Sequence, residues 1–228
     1  PIGARTSSGP FHAKPIEAWL SNDPGLVVLA PSMPQDAYDL LLDAVALPDP
    51  CVFLEHIGLY GLRGGRTGWG ESISQDVDTA GIHTDLDRGP GPHRIGTARK
   101  VRTGGDLTII TWSAMVHVAL RAAERLAADH GIEVEIIDLR TLLPWDEEMC
   151  IGSVSRTGRF MVLQEAQWTG GYAHTIASRV LESTFWNLET QPVVLGSLDT
   201  PVPFSPPLER HTVPSAELVI KHVVRMMT

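Results

Sequence analysis

Residues 9–19, GPFHAKPIEAW, bring an imidazole, an ammonium and a carboxyl (His12, Lys14 and Glu17) into one short stretch between a Gly-Pro pair and a helix-like run. An imidazole with an ordinary pKa of about 6.5 can give or take a proton near neutrality. It can equally hydrogen-bond its own loop, and residue type alone leaves both readings open. Glu17 reads as a helix-surface residue, and Glu55, ending PCVFLEH, as a strand-end residue. His83, Asp85, Asp87 and His93 in HTDLDRGPGPH offer nitrogen and oxygen donors for a metal, although polar loops assemble such groups by chance. His117 and His174 fall on helix-like runs, where packing or surface roles are expected.

Several other chemistries are absent from the chain. The glycines of GLRGGRTGWG never take the order G-x-G-x-x-G, and no G-x-x-x-x-G-K-[ST], G-x-S-x-G or H-E-x-x-H occurs. Asp and Glu outnumber Lys and Arg by 27 to 18, a formal net charge of -9, so no nucleic-acid or anionic-membrane partner is expected and a basic partner suits the surface better. The longest apolar runs, GLVVLAP and LTIITW, fall short of the ~20 residues of a membrane helix. A cytoplasmic or matrix setting is expected. Cys51 and Cys150 stand in apolar contexts and read as buried thiols, with no disulfide framework.

The elements that must position these groups alternate between helix and strand. PIEAWLSN reads as a short helix and GLVVLAPS as a strand buried on both faces. Ser32 is expected to cap a helix through MPQDAYDLLLDAVAL, with Pro34 and Asp36 in its first turn, before a second buried strand in PCVFLEH. From Tyr60 to about Arg94 the periodicity lapses into a Gly/Asp/Ser/Thr-rich excursion. It then resumes. DLTIITW, EVEIIDLR, RFMVLQEA and PVVLGS read as strands. AMVHVALRAAERLAADHG, PWDEEMCIGSVSRTG, GGYAHTIASRVLESTF and SAELVIKHVVRMM read as helices, the first two closed by Gly131 and Gly158. Buried strands alternating with helices indicate a parallel sheet covered on both faces.

The segments GPFHAKPIEAWL, DPGLVVLAPSMPQDAYDLLLDAVALPDPCVFLEH, IDLRTLLPWD, the TGG that follows EA, and DTPVP together resemble the beta subunits of thiamine-diphosphate-dependent 2-oxoacid dehydrogenases. These are the decarboxylating components of the pyruvate and branched-chain complexes. The resemblance implies an α/β fold: a partial pyrimidine-binding-type parallel-sheet domain over residues 1–60, a linker over 61–95, and a transketolase C-terminal-type α/β domain over 96–228. It also implies oxidative decarboxylation of a 2-oxo acid with acyl transfer to lipoamide. His12 matches the family histidine that faces the cofactor's reactive carbon and assists that transfer. The family glutamate that activates the cofactor lies upstream of any residue present, so only the rear half of the first domain is expected.

Thiamine diphosphate would be shared with an alpha subunit that holds magnesium. A potassium ion would be held at Ala44, Leu47 and Asp49. The implied partners are the alpha subunit and a second beta subunit, in a heterotetramer, and the lipoyl-bearing acyltransferase core. Ala13-Lys14 departs from the family's usual Ser-Gln, removing a hydroxyl and an amide and adding a charge. Two alternatives share the fold. One is a noncatalytic assembly or docking module of such a complex, and the other a fragment of a transketolase-like enzyme.

Overall fold

A computed structural model of the chain describes residues 2–4, 7–60 and 94–228. The expected metal group at His83, Asp85, Asp87 and His93 lies outside the described residues.

The larger sheet is assembled from β3 (Arg99–Arg102), β4 (Leu107–Thr111), β5 (Val134–Asp138), β7 (Phe160–Gln167) and β8 (Val193–Ser197) in the order β3-β5-β4-β7-β8. Strands β4, β5, β7 and β8 run parallel, and β3 joins the edge antiparallel. Every residue of β4 and β5 is buried. The alternation of side chains along a strand then sends Leu107 and Ile109 to one face and Ile110 to the other.

The first face is covered by α4 (Ala114–His130) and α8 (Ala216–Met227), through Val118, Ala122, Leu126, Val219 and Val223. The second is covered by α5 (Glu147–Thr157) and α6 (Tyr172–Thr184), through Cys150, Val154, Ile176 and Val180. The helix boundaries follow local chemistry. Asp146 accepts from the Met149 N–H at 3.0 Å to cap α5, and Gly131, at φ +66°, closes α4.

The amino-terminal part is a string of shorter elements: α1 (Gly9–His12), α2 (Glu17–Leu20), β1 (Val27–Leu29), α3 (Pro34–Ala46) and β2 (Cys51–Phe53). Strands β1 and β2 pair in parallel, and β6 (Thr141–Leu143) adds an antiparallel third strand. Leu139 and Leu142 pack in the same cluster as Val28, Ala30 and Leu54. A stretch of the carboxyl-terminal part therefore completes the amino-terminal sheet.

Three expectations are corrected. The sheets have a parallel core, but β3 and β6 are antiparallel, both being short segments whose pairing no local periodicity announces. Ser32 does not cap α3. Met33 occupies that position with no side-chain bond, and the Ser32 hydroxyl is turned away from the first-turn N–H groups of α3 to donate to the buried Asp138 side chain. The strand in PCVFLEH, β2, is half-buried rather than buried, because it lies at the edge of the small sheet; a short helix, α7 (Pro206–Thr212), follows DTPVP.

Candidate functional site

His12 is the last residue of α1, a single turn with Pro10 in its first positions. The next residue, Ala13, is fully buried, while His12 itself is exposed. The backbone is thus clamped against the protein as the imidazole is turned outward. Pro10 and Lys14, two positions to either side, both line an open groove of about 540 Å³ whose other wall is built by Gln167, Thr169, Asp199 and Thr200. The Asp199 carboxylate accepts from the Thr169 amide at 2.9 Å and its hydroxyl at 2.7 Å, which holds its pKa below the usual carboxylate range. Lys14 does not project freely. Its ammonium lies 3.9 Å from the centre of the Trp19 ring, a cation–π contact that keeps the charge at the groove's edge.

Beneath this surface is a buried polar cluster. Glu165, near the end of β7, accepts from the Ala4 N–H at 2.7 Å through one oxygen and lies 2.9 Å from His56 Nε2 through the other. Ile2 bridges to His56, so the segment leading into the His12 loop is fastened to an imidazole–carboxylate pair. Glu17 belongs to the same region, and here the surface reading is overturned. Its side chain is 1% exposed and accepts from Trp112 Nε1 at 3.3 Å. Burial pushes its carboxyl pKa up, and the neighbouring Glu165 charge adds to the shift. The turn that carries Glu17 packs inward because Trp112, at the end of β4, presents a donor that solvent cannot reach. Glu55 is exposed beyond β2, as read, and accepts from the Tyr60 hydroxyl at 2.5 Å.

A second buried network joins the small sheet to the large one. Asp138, the last residue of β5, is bonded by the Ser32 hydroxyl and by the Arg140 N–H at 3.1 Å. Complete burial, reinforced by the nearby Asp36 charge, pushes its carboxyl up to about 7. Arg140, at φ +58°, reaches Asp36 at 3.2 Å and the Thr97 carbonyl at 2.8 Å, while Arg99 reaches the other Asp36 oxygen at 2.8 Å. Asp36 therefore pairs with two guanidinium groups, one through each oxygen, rather than only favouring its helix end. His117 lies 2.8 Å from the Ser32 carbonyl through Nε2, and burial pushes its pKa down. His174 packs edge-on against Trp168, with ring centres 4.7 Å apart. Both histidines take the packing roles expected for them.

The positions implied for potassium lie at the end of α3. The Ala44 carbonyl accepts from the Leu47 N–H at 3.3 Å, and Cys51 Sγ lies 3.8 Å from that oxygen and 3.5 Å from the Asp49 carbonyl. Two backbone oxygens thus converge, with a thiol where they meet. Cys51 is half-buried rather than buried, and Cys150 is fully buried. Among the described residues no group of three or more His, Cys, Asp or Glu side chains could hold a metal ion, and no helix is long and apolar enough to cross a membrane.

Residues 96–219 match the family model of the transketolase C-terminal domain. The chain belongs to that family. Over 205 residues it is 37% identical to the pyruvate dehydrogenase E1 component subunit beta of Bacillus subtilis (strain 168), covering 90% of this chain and 57% of that protein. It is 37% identical over 215 residues to the acetoin:2,6-dichlorophenolindophenol oxidoreductase subunit beta of Cupriavidus necator, covering 94% and 57%. It is 35% identical over 203 residues to the mitochondrial 2-oxoisovalerate dehydrogenase subunit beta of Dictyostelium discoideum, covering 89% and 50%. The chain therefore spans little more than half the length of these relatives. Among solved structures, a split-gene transketolase described as an inactive beta4 tetramer superposes with a TM-score of 0.67 at 22% identity, over 99% of this chain and 64% of that one. The resemblance carried by GPFH, IDLRTLLPWD and DTPVP points to the same beta subunits.

The family's sheet also explains which residues sequence reasoning passed over. Asp138 ends the buried strand β5, Glu165 lies within β7, and His56 follows the half-buried β2; an isolated ionisable residue in or beside an apolar run is itself a signal. The places where their partners sit in the sequence, at residues 4, 32 and 165, are not readable from such runs.

Proposed function

We propose that this chain supplies the beta-subunit wall of a thiamine-diphosphate-dependent 2-oxoacid dehydrogenase, the component that decarboxylates a 2-oxo acid and passes the acyl group to lipoamide. The observation that supports this most is the placement of His12: an exposed imidazole on a buried backbone, with residues on both sides of it lining an open groove. Thiamine diphosphate, when bound, supplies the nucleophilic carbon and electron sink that decarboxylation requires. The role of His12 is to hold or deliver a proton at the groove's edge while the acyl group moves to a lipoyl sulfur. Neither Glu17, sequestered against Trp112, nor Glu55, bonded to Tyr60, is free to activate the cofactor.

The same reading gives magnesium and the diphosphate to an alpha subunit, and it includes a second beta subunit and a lipoyl-bearing acyltransferase core as partners. It divides the chain into the rear of a pyrimidine-binding domain over residues 1–60, a linker over 61–95 and the carboxyl-terminal domain over 96–228, with β6 tying the first to the last. It sets the protein in the cytoplasm, or in the mitochondrial matrix of a eukaryote. For potassium, Ala44 and Asp49 contribute converging carbonyls at most, with Leu47 shaping the turn.

The test is His12→Ala in the enzyme assembled with its alpha subunit. Decarboxylation followed with an artificial electron acceptor should be spared more than reductive acylation of a lipoyl domain. Equal loss of both, or loss of neither, rejects the role. A noncatalytic assembly module is the second reading, favoured by the sequestration of Glu17 and Glu55. Calorimetric titration with thiamine diphosphate separates the two: binding that needs both chains supports the enzyme, and subunit association without cofactor binding supports the module.

A further inference from the structure

We propose that residues 200–213 form a clasp that positions the His12 loop, and that Glu209 is the residue fastening it. The functional weight of this clasp rests on the reading of His12 given above. Ser7 adopts a left-handed backbone, φ +57°, which a residue with a side chain holds only when its surroundings enforce it. The enforcing group is Glu209. Its carboxylate, on a side chain from α7 that is 1% exposed, accepts the Ser7 N–H at 3.1 and 3.2 Å. A buried carboxylate accepting a backbone N–H makes one of the stronger hydrogen bonds a loop can have.

Two further contacts lie between Ser7 and the end of the loop. The Phe204 ring rests directly on Gly9, so close that a Cβ on Gly9 would come within 2.3 Å of it. Ala13 and Ala4 pack with Val202 and Val213 in a small apolar cluster separate from the two sheet faces. The loop is therefore held before and after His12 by a single segment nearly two hundred residues away in sequence. That segment is rooted where β8 ends, since the Leu198 N–H donates to the Thr212 carbonyl at 3.0 Å and Thr200 to Leu198 at 2.7 Å. Glu209 touches the loop at the Ser7 N–H and Phe204 touches it at Gly9, so both act on His12 through the backbone and are positioning residues.

The test uses the full chain without cofactor or substrate, so its outcome is independent of whether His12 proves catalytic. Amide hydrogen exchange at Ser7 and Ala13 and the chemical shifts of the His12 ring at one fixed pH are followed by NMR in Glu209→Ala, Glu209→Gln and Phe204→Ala. With Glu209→Ala, Ser7 exchange should accelerate about tenfold or more while α4 and β4 amides keep their protection, as expected of local rather than global opening. The His12 ring resonances, read at one fixed pH, should shift as the turn that carries the ring loosens. Glu209→Gln, which keeps an acceptor oxygen, should restore most of both. Phe204→Ala removes a largely exposed ring and should give a smaller change of the same kind, which serves as the test if Glu209→Ala does not fold. Unchanged Ser7 exchange and unchanged His12 ring shifts in both Ala variants overturn the proposal, as does a loss of protection shared equally by α4 and β4.

Discussion

The carboxyl-terminal sheet and the amino-terminal segment that bears His12 are stabilised in different ways. In the sheet, Leu107, Ile109, Ile110, Ile136, Ile137 and Phe160 lose all their exposure, and α4 and α5 carry their own caps. In the amino-terminal segment, elements of three or four residues depend on polar ties to remote partners: Ala4 on Glu165, Glu17 on Trp112, Ser32 on Asp138. Collective apolar burial binds the sheet into one unit, so that a cavity there weakens the whole, whereas a few buried polar ties fail one at a time. The contrast places the candidate reactive group on the part of the protein that can be adjusted locally, as is general for loops carried by a rigid scaffold.

The largest effect expected is on the sheet. Phe160→Ala should cost ~3–5 kcal/mol by urea denaturation, because it empties a fully buried site between β7 and the α5/α6 face. A cost below ~1 kcal/mol would erase the contrast between the two regions. Arg140→Ala comes next, at about 3 kcal/mol, since it strips one of two guanidinium partners from buried Asp36. Hydrogen exchange should show β1 and β6 losing protection before β7. Uniform loss would mean that the junction is part of the sheet's own cooperative unit.

The third effect is a pH dependence. Asp138 has its carboxyl raised from an ordinary 3.8 to about 7 in the folded protein, so between those values the native state binds a proton that the unfolded chain has released. This contribution to stability is fully present below the lower value and is lost as pH rises toward 7. Asp138→Asn should therefore flatten the stability profile over that window by about 1 kcal/mol per pH unit, measured as the difference in slope between the two proteins. An identical slope would show that the carboxyl titrates normally. The smallest effect is that of Trp19→Ala. With the side chain 69% exposed, stability should change by ~0.5 kcal/mol or less, even though Lys14 loses its aromatic partner.

Legibility followed the same division between the two regions. LTIIT, VEIID and AMVHVALRAAERLAADHG announce their structures through local hydrophobic period and caps, and the observed elements follow them closely. Arg99–Arg102 and Thr141–Leu143 carry no such period, because they become strands only where another strand offers them an edge. At the candidate site, His12 is exposed but ends the single turn α1 rather than lying in an irregular loop, and Glu17 is buried rather than on a helix surface. Its spacing suits a surface turn, and only the presence of the Trp112 indole turns it inward.

Taken alone, the order of residues determined the alternation of helices and buried strands, the family resemblance, and the position in the chain of an imidazole able to exchange protons near neutrality. The tertiary structure decided which carboxylates are buried, which segment completes the small sheet, and what holds the His12 loop in place. The reason is range: helix period and capping act between neighbours along the chain, whereas desolvation and ion pairing depend on groups brought together from more than a hundred residues apart.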